Sequence, residues 1–332
     1  MLNISARRVL VTGATGFVGG NLVEMLLKRG WSVTCLIRNS GKAQPIRKPG
    51  IRLVAGDLSN PAALRDAARG VDTVFHVAGV IKAANRRQFI EANQYGTRRL
   101  LEAVAEVNPG LNRFVYVSSL SAAGPSKNGN MLDENEKPNP ISWYGESKLK
   151  SEEEVLKFSN AWPVTILRPS AVYGPRDMET LLIFRMIKRG WMFTPGTISR
   201  RFSLIHVDDL SEACIKASGI NTSSGEIFFI SRPEIYRWED VGEAIAQALK
   251  KRYIHISLPR WTALAAGIAG DLWTHATGMI TTINSQKAKE LLQPFWLCDS
   301  SKARIHLEFS PVIELKKGIQ ETADWYIEKG YL

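Results

Sequence analysis

Tyr144 and Lys148 stand four residues apart in the run Tyr144-Gly145-Glu146-Ser147-Lys148. On a helix that spacing puts both side chains on one face. A phenol titrates near pH ~10 and is a poor proton donor or acceptor at neutrality. A nearby ammonium favours the phenolate by charge, and Tyr144 then becomes a usable general acid or base. Ser119 lies twenty-five positions upstream, at the end of an apolar run, Arg113 to Val117. Its hydroxyl is placed to polarise a reacting oxygen. Taken alone, a Tyr-x-x-x-Lys spacing is common by chance and describes an exposed helix face equally well.

A second feature makes the pair specific. The run Val9-Leu10-Val11 leads into Thr12-Gly13-Ala14-Thr15-Gly16-Phe17-Val18-Gly19, and a helical pattern over Gly20 to Lys28 follows. Gly13 permits a tight turn, Gly16 lets backbone approach a pyrophosphate, and Gly19 lets the helix pack closely on the sheet. The free N–H groups and positive dipole end of that helix face the phosphates. Thr15, Phe17 and Val18 complete the turn. A glycine triplet between a strand and a helix predicts dinucleotide binding; the alternative is a tight turn with no ligand. With a dinucleotide in place, Lys148 can also hold the nicotinamide ribose.

An acidic residue at the end of the second strand would favour NAD by binding the ribose 2′-hydroxyl. That strand instead ends in Leu36-Ile37-Arg38-Asn39-Ser40, with Lys42 close by. The planar fork of Arg38 suits a 2′-phosphate, so the expected cofactor is NADP. NAD stays open, because the same arginine can stack on adenine.

The elements that must position these residues alternate regularly. Strands are expected at Ser32 to Ile37, Ile51 to Val54, Val71 to Val77, Arg113 to Val117 and Val164 to Leu167. Helices are expected at Leu64 to Arg69, Asn93 to Val107 and Ser142 to Phe158. This alternation predicts an α/β fold, a Rossmann-type doubly wound parallel sheet, with a smaller, mostly helical C-terminal lobe. Residues 1–172 form the dinucleotide-binding part, with 203–232 returning to it; 173–202 and 233–332 form the substrate lobe. Helical stretches recur at Glu179 to Arg189, Asp209 to Ala217, Trp238 to Lys250 and Lys316 to Lys329, and Ile227 to Ile230 reads as a strand. The polar loop Pro125 to Pro140 is long enough to suggest a functional or mobile segment.

Composition bounds the rest. The chain has 332 residues, 45% hydrophobic and 23% charged, enough for a sizeable core. The net charge of +11 favours anionic ligands or acidic surfaces without choosing among them. Basic clusters such as Arg86-Arg87, Arg98-Arg99, Arg200-Arg201 and Lys250-Lys251-Arg252 read mostly as solvated surface. No basic array interleaved with aromatics points to nucleic acid. Cys35, Cys214 and Cys298 are isolated and fit a reducing cytoplasm. His76, His206, His255, His275 and His306 lack ligand-like spacing, so no metal is expected. The segment before Arg8 does not read as a signal peptide. Thr262 to Ile283 is apolar but interrupted by Asp271 and His275, too short a run to span a bilayer. It reads as a helix over a substrate pocket, with peripheral membrane contact left open.

The chain resembles the extended short-chain dehydrogenase/reductases, of the NAD-dependent epimerase/dehydratase superfamily. The likeness covers nearly the whole length. It rests on Thr12 to Gly19, Gly56-Asp57-Leu58, His76-Val77-Ala78-Gly79, Asn93 with Gly96-Thr97, Ser118-Ser119, Tyr144 to Lys148, Arg168 to Pro175, His206 to Leu210 and Asp324-Trp325-Tyr326. The resemblance implies that Asp57 contacts adenine with Leu58 beside it. Ala78 and Gly79 would line the nicotinamide side, Asn93 would order the active-site backbone, and Pro169 and Ser170 would touch the carboxamide region. Ser119, Tyr144 and Lys148 would be the catalytic set. Asp208 and Asp209 read as helix-capping residues.

Within that superfamily, dehydratases carry an Asp-Glu pair where this chain has Leu120-Ser121, which argues against elimination of water. Nucleotide-sugar epimerases often place an arginine where Phe202 stands, with Arg201 one residue out of register. The apolar runs Leu181 to Phe184 and Trp191 to Phe193 suit a lipid-like or aromatic substrate, although such stripes also simply pack. The closest likeness is to the 3β-hydroxysteroid dehydrogenase and dihydroflavonol reductase branch. The expected activity interconverts a ketone and a secondary alcohol on a small apolar molecule. Two alternatives stay open, a nucleotide-sugar 4-epimerase with tightly bound NAD and a non-catalytic dinucleotide sensor. A homodimer also stays open.

Overall fold

The structure is a computed structural model and describes residues 7–38, 48–196, 200–219 and 224–332. Six strands arise before residue 170: β1 (Arg8–Thr12), β2 (Ser32–Ile37), β3 (Ile51–Ala55), β4 (Thr73–His76), β5 (Arg113–Val117) and β6 (Val164–Pro169). Between them run α1 (Phe17–Lys28), α2 (Pro61–Ala68), α3 (Arg86–Phe89), α4 (Gly96–Val107), α5 (Leu120–Ala123) and α6 (Trp143–Leu156). Next come β7 (Ala171–Tyr173), α7 (Leu181–Lys188), β8 (Trp191–Pro195), β9 (Arg201–His206), α8 (Val207–Gly219) and β10 (Glu226–Ile230). The chain closes with β11 (Ile235–Tyr236), α9 (Trp238–Leu249), β12 (Ile254–Leu258), α10 (Arg260–Thr277), α11 (Ser285–Leu291), β13 (Phe295–Trp296), α12 (Ser301–His306) and α13 (Leu315–Glu328).

The expected doubly wound sheet is present. Seven strands lie in the order β10-β6-β5-β4-β1-β2-β3, every pair parallel. Side chains alternate across a strand, so Val9 and Val11 face one helical layer while Leu10 faces the other. Val9, Val11, Phe75 and Val115 pack with Leu22 and Leu26 of α1 and Leu210 and Cys214 of α8. Leu10, Val74, Phe114 and Tyr116 pack with Leu64 of α2, Leu100 and Val104 of α4 and Val155 of α6. Both faces are covered, which is why these strands read as unbroken apolar runs. The strand order reverses between β1 and β4, so a crevice opens at their carboxyl ends.

The expected helix from Asn93 is part of a longer run. It begins at Arg86, passes through a π-helical turn at Ile90–Tyr95, and continues as α4. The loop from Pro125 to Pro140 is tied down. Ser126 N donates to Phe295 O at 3.1 Å, Leu132 N donates to Leu297 O at 3.1 Å while Leu132 O accepts Asp299 N at 2.8 Å, and the Glu134 carboxylate accepts Phe229 N at 2.7 Å.

The C-terminal lobe has its own core. Phe184, Ile245, Ile319 and Tyr326 meet there, with the Phe184 and Tyr326 rings edge to face at 5.1 Å. The expectation that Asp208 and Asp209 cap their helix needs correction. Both sit inside the first turn of α8, and the Asp209 carboxylate accepts the backbone N–H groups of Val312 at 3.0 Å and Ile313 at 3.1 Å. It pins the irregular segment before α13 and gives the buried Ile313 amide its acceptor.

Candidate active site

The crevice at the sheet's carboxyl edge deepens into a cavity of about 1730 Å³ between the sheet and the lobe. Its floor is the glycine turn. Gly13 has a φ of +74°, and a Cβ there would lie 2.8 Å from the backbone nitrogen of Ala78. A Cβ on Gly19 would run into the Gly13 carbonyl oxygen. Gly16 N closes the turn on Gly13 O at 2.9 Å, and Gly16 caps α1 with no side chain of its own. The first amides of α1 are therefore bare toward the cavity, the arrangement that receives a phosphate.

One buried histidine braces this floor. His76 shares a 2.7 Å hydrogen bond with Thr12 through Nδ1 and a 2.8 Å bond with Thr97 through Nε2. Burial pushes its imidazole down to about 3, so it stays neutral and ties β1, β4 and α4 together. Thr12 Oγ1 also accepts Ala78 N at 3.2 Å.

Gly13, Thr15, Gly16, Phe17, Val18, Gly19, Arg38, Asp57, Leu58, Ala78, Gly79, Ser119, Tyr144, Lys148, Pro169 and Ser170 all line the cavity. Asn93 stands behind its wall. Its amide accepts Val80 N at 2.7 Å, donates to Val80 O at 3.0 Å and donates to Ser147 Oγ at 2.8 Å. One side chain thus clamps the backbone after β4 to the helix that carries Tyr144. Asp57 accepts the amide and hydroxyl of Ser59 at 2.8 and 2.6 Å, which holds its carboxyl below the usual range. Leu58 lies against Gly96, where a Cβ would meet Leu58 Cδ1 at 2.9 Å. Arg38 is exposed at the end of β2, and its charge also depresses Asp57. Asn39, Ser40 and Lys42 lie outside the described residues.

Ser119 ends the loop after β5 and caps α5, its Oγ accepting Ser121 N at 3.1 Å. Ser142 caps α6 through Gly145 N and so starts the helix one residue before Tyr144. Tyr144 and Ser119 line the same stretch of the cavity, and the Ser119 hydroxyl is near enough to lower the phenol's pKa. The expectation that Lys148 lowers the phenol is not met in this structure. Burial pushes Tyr144 up to about 12, the Ser119 hydroxyl opposes the rise, and the Glu290 carboxylate adds to it. Lys148 Nζ instead donates to the Val117 carbonyl at 2.7 Å and sits 4.3 Å above the Tyr116 ring. Its own burial lowers it to about 7, partly offset by Glu152.

Three features were not anticipated. Glu152, one turn beyond Lys148, accepts Ser118 Oγ at 2.5 Å and both Nε and Nη2 of Arg168 at 2.9 and 2.6 Å. The only hint in the sequence was the i, i+4 spacing of Lys148 and Glu152. Arg200 is buried, and it lines the cavity with Arg201 and Arg99. Arg98 grips the buried carboxylate of Glu154 at 2.7 and 3.0 Å. These arginines are not simply solvated charge. Finally, His206, Asp208 and Glu321 bring ligand atoms within 4.8 Å of one another, across a separation no local spacing reveals. His206 Nδ1 accepts Asp208 N at 3.3 Å, and its buried Nε2 lies 3.9 Å from Glu321 with no hydrogen-bond partner among the described residues. Nδ1 is already engaged by a backbone amide, so the cluster does not present a free set of ligand atoms.

A dinucleotide fits the residues present. The glycine turn leaves a cradle that any Cβ would fill, and Ser170 Oγ is buried with no partner among the described residues. Fold and site together define an enzyme of the extended short-chain dehydrogenase/reductase type, built on a Rossmann sheet.

Comparison with known proteins agrees. The model of the NAD dependent epimerase/dehydratase family matches residues 9–230. The chain belongs to that family. It is 31% identical to a ceramide reductase of Caulobacter vibrioides over 98% of this chain and 96% of the relative. It is 33% identical to a putative dihydroflavonol 4-reductase of Synechocystis sp. over 97% and 95% of the two chains. The crystal structure of gox2253 superposes with a TM-score of 0.81 at 26% identity, covering 98% of this chain and 99% of that one.

Proposed function

We propose that this protein is an NAD(P)-dependent ketone reductase and secondary-alcohol dehydrogenase acting on an apolar, lipid-like substrate. The observation that carries the reading is that Tyr144, Ser119 and Lys148 line one cavity with the glycine turn, and that the far wall of this cavity is apolar, with Leu182, Ile183, Phe193 and Ile283 among its lining. A dinucleotide held on the glycine turn supplies or takes up the hydride. The protein's own part is the proton. With its pKa pushed up, Tyr144 stands as a neutral phenol at physiological pH, ready to donate to an oxygen that gains negative charge. In this reading Ser119, on the same cavity wall, shares that oxygen. In this reading Lys148, lowered to about 7 by burial and lining the same cavity, holds the nicotinamide ribose. Arg38 supports NADP, with NAD open. The similarity to a ceramide reductase supports both the reaction and the apolar substrate class.

The experiment is a screen of coenzyme oxidation with long-chain ketones, steroid ketones and UDP-sugars. The reading expects net oxidation of NADPH or NADH with an apolar ketone. Interconversion of UDP-sugars with no net redox change, on coenzyme that copurifies, would replace it with the 4-epimerase alternative. Arg200 and Arg201 on the cavity wall give that alternative its one structural support.

A further inference from the structure

The first turn of α6 is finished by a helix from the other lobe. A helix starts with backbone N–H groups that have no partner inside it, and their positive end attracts a carboxylate. In α6 these groups belong to Trp143, Tyr144 and Gly145, the turn that carries the phenol. Ser142 answers one of them by accepting Gly145 N at 3.1 Å. Two further contacts come from α11. Gln286 Oε1 accepts Trp143 N at 3.2 Å across 143 residues of sequence, and Glu290 Oε1 accepts the Ser142 hydroxyl at 2.6 Å. The one proton of that hydroxyl is thereby committed to Glu290, which leaves its oxygen to cap α6. Gln286 and Glu290 stand four residues apart, on one face of α11.

The gripping helix is itself held. Asn284 caps it by accepting Lys287 N at 2.8 Å, and the Glu290 main-chain carbonyl accepts Trp296 Nε1 at 3.0 Å. Helix α10 lies close behind, where a Cβ on Gly267 would meet Ser285 Cα at 3.0 Å. Ser142, Tyr144, Gln286 and Glu290 all line the cavity, so the contact lies at the site and not on a remote face. The Glu290 charge also reaches the phenol and disfavours its ionised form. The other titratable groups nearby are Lys148 on α6 itself, Tyr116 of β5, and Lys287, whose Nζ is 3.5 Å from Glu290 Oε2. Glu146, on the same turn as the phenol, is taken up by Arg86 in a bidentate pair.

We infer that Gln286 and Glu290 are positioning residues that clamp the first turn of α6, so that the substrate lobe, and not the Rossmann part alone, sets where the Tyr144 hydroxyl stands. The clamp rests on the hydrogen bonds; its consequence for catalysis rests on the ketone-reductase reading.

Two measurements on the full-length protein test it. The variants are Glu290→Gln, which keeps an acceptor for Ser142 and loses the charge, and Gln286→Ala/Glu290→Ala, which loses both contacts. Hydrogen exchange read by mass spectrometry on residues 142–147 follows the clamp. The double variant should exchange there at least about tenfold faster, the size of one or two lost hydrogen bonds, while β4 and β5 keep wild-type protection. Glu290→Gln should stay within about threefold of wild type. The pH profile of secondary-alcohol oxidation follows the charge, because in that direction the phenol must give up its proton and the rate rises with pH. Glu290→Gln should move the rise toward lower pH by roughly half a unit or more, a shift that a purely structural contact would not produce. The double variant should lose roughly tenfold or more in kcat.

Unchanged exchange at 142–147 in the double variant overturns the clamp. Faster exchange with wild-type kcat and an unmoved pH profile overturns the positioning role and leaves a contact between lobes only. Faster exchange throughout the sheet marks unfolding of the double variant, and the pH profile of Glu290→Gln then decides. A protein without redox activity on any ketone or alcohol loses the reductase reading, and exchange at 142–147 then decides the clamp by itself.

Discussion

Glu152 and Arg168 form a buried bidentate ion pair directly beneath the Ser118–Ser119 loop. Nε–Oε1 is 2.9 Å and Nη2–Oε2 is 2.6 Å, with both side chains almost wholly removed from solvent. The pair joins α6 to the end of β6, and its third bond, from Ser118, reaches the residue beside Ser119. Helix, strand and loop are therefore fixed to one another by one carboxylate.

Removing one partner leaves a buried charge unpaired. Arg168→Met should cost roughly 3–5 kcal/mol in urea unfolding, whereas Glu152→Gln/Arg168→Met should recover much of that loss. Equal destabilisation in the two variants would show that the arginine stem, not its charge, carries the effect.

Lys148 gives a pH-dependent signature. Its pKa falls from 10.5 in the ordinary range to about 7 on burial. Between those values the unfolded chain binds a proton that the folded chain does not, so stability should rise as pH increases through the window. Lys148→Met removes that contribution. Urea midpoints at pH ~6.5 and pH ~9.5, compared between wild type and variant, should show a steeper rise in wild type. Parallel pH dependence would contradict the burial of a titrating amine.

Arg38 is read as the 2′-phosphate ligand. Arg38→Ala should weaken NADPH binding by roughly 10- to 100-fold, as expected for one charge-assisted contact, and leave NADH within about threefold. Equilibrium titration of both coenzymes measures this. Equal losses would mean that the guanidinium stacks on adenine instead.

Much of the sheet is legible in the sequence because each strand is short, apolar and punctuated. Val9 to Val11, Ser32 to Ile37 and Val164 to Leu167 need no partner to be recognised. The glycine turn, Ser119 and Tyr144 share one cavity because all follow the carboxyl ends of parallel strands. What stayed hidden depends on tertiary neighbours. The π-helical turn at Ile90–Tyr95 has an ordinary helical sequence, and its purpose shows only where Asn93 meets Val80 and Ser147. Asp209 looks like a cap until Val312 and Ile313 fold back onto it. The exposure of Trp261, Leu264, Ile268 and Leu272 on α10 is invisible to periodicity, since an apolar stripe reads the same whether it faces core or solvent. The phenol's direction was misjudged because a neighbouring lysine is a matter of sequence, while burial beside Glu290 is a matter of fold.

The central claim is that the Tyr144 hydroxyl delivers the proton at the reacting oxygen. Single-turnover oxidation of bound NADPH by an apolar ketone, in wild type and in Tyr144→Phe, tests it most directly. The variant should bind NADPH with unchanged Kd and lose roughly 10²- to 10⁴-fold in the rate of turnover. A Phe variant that oxidises its coenzyme at the wild-type rate would contradict the account.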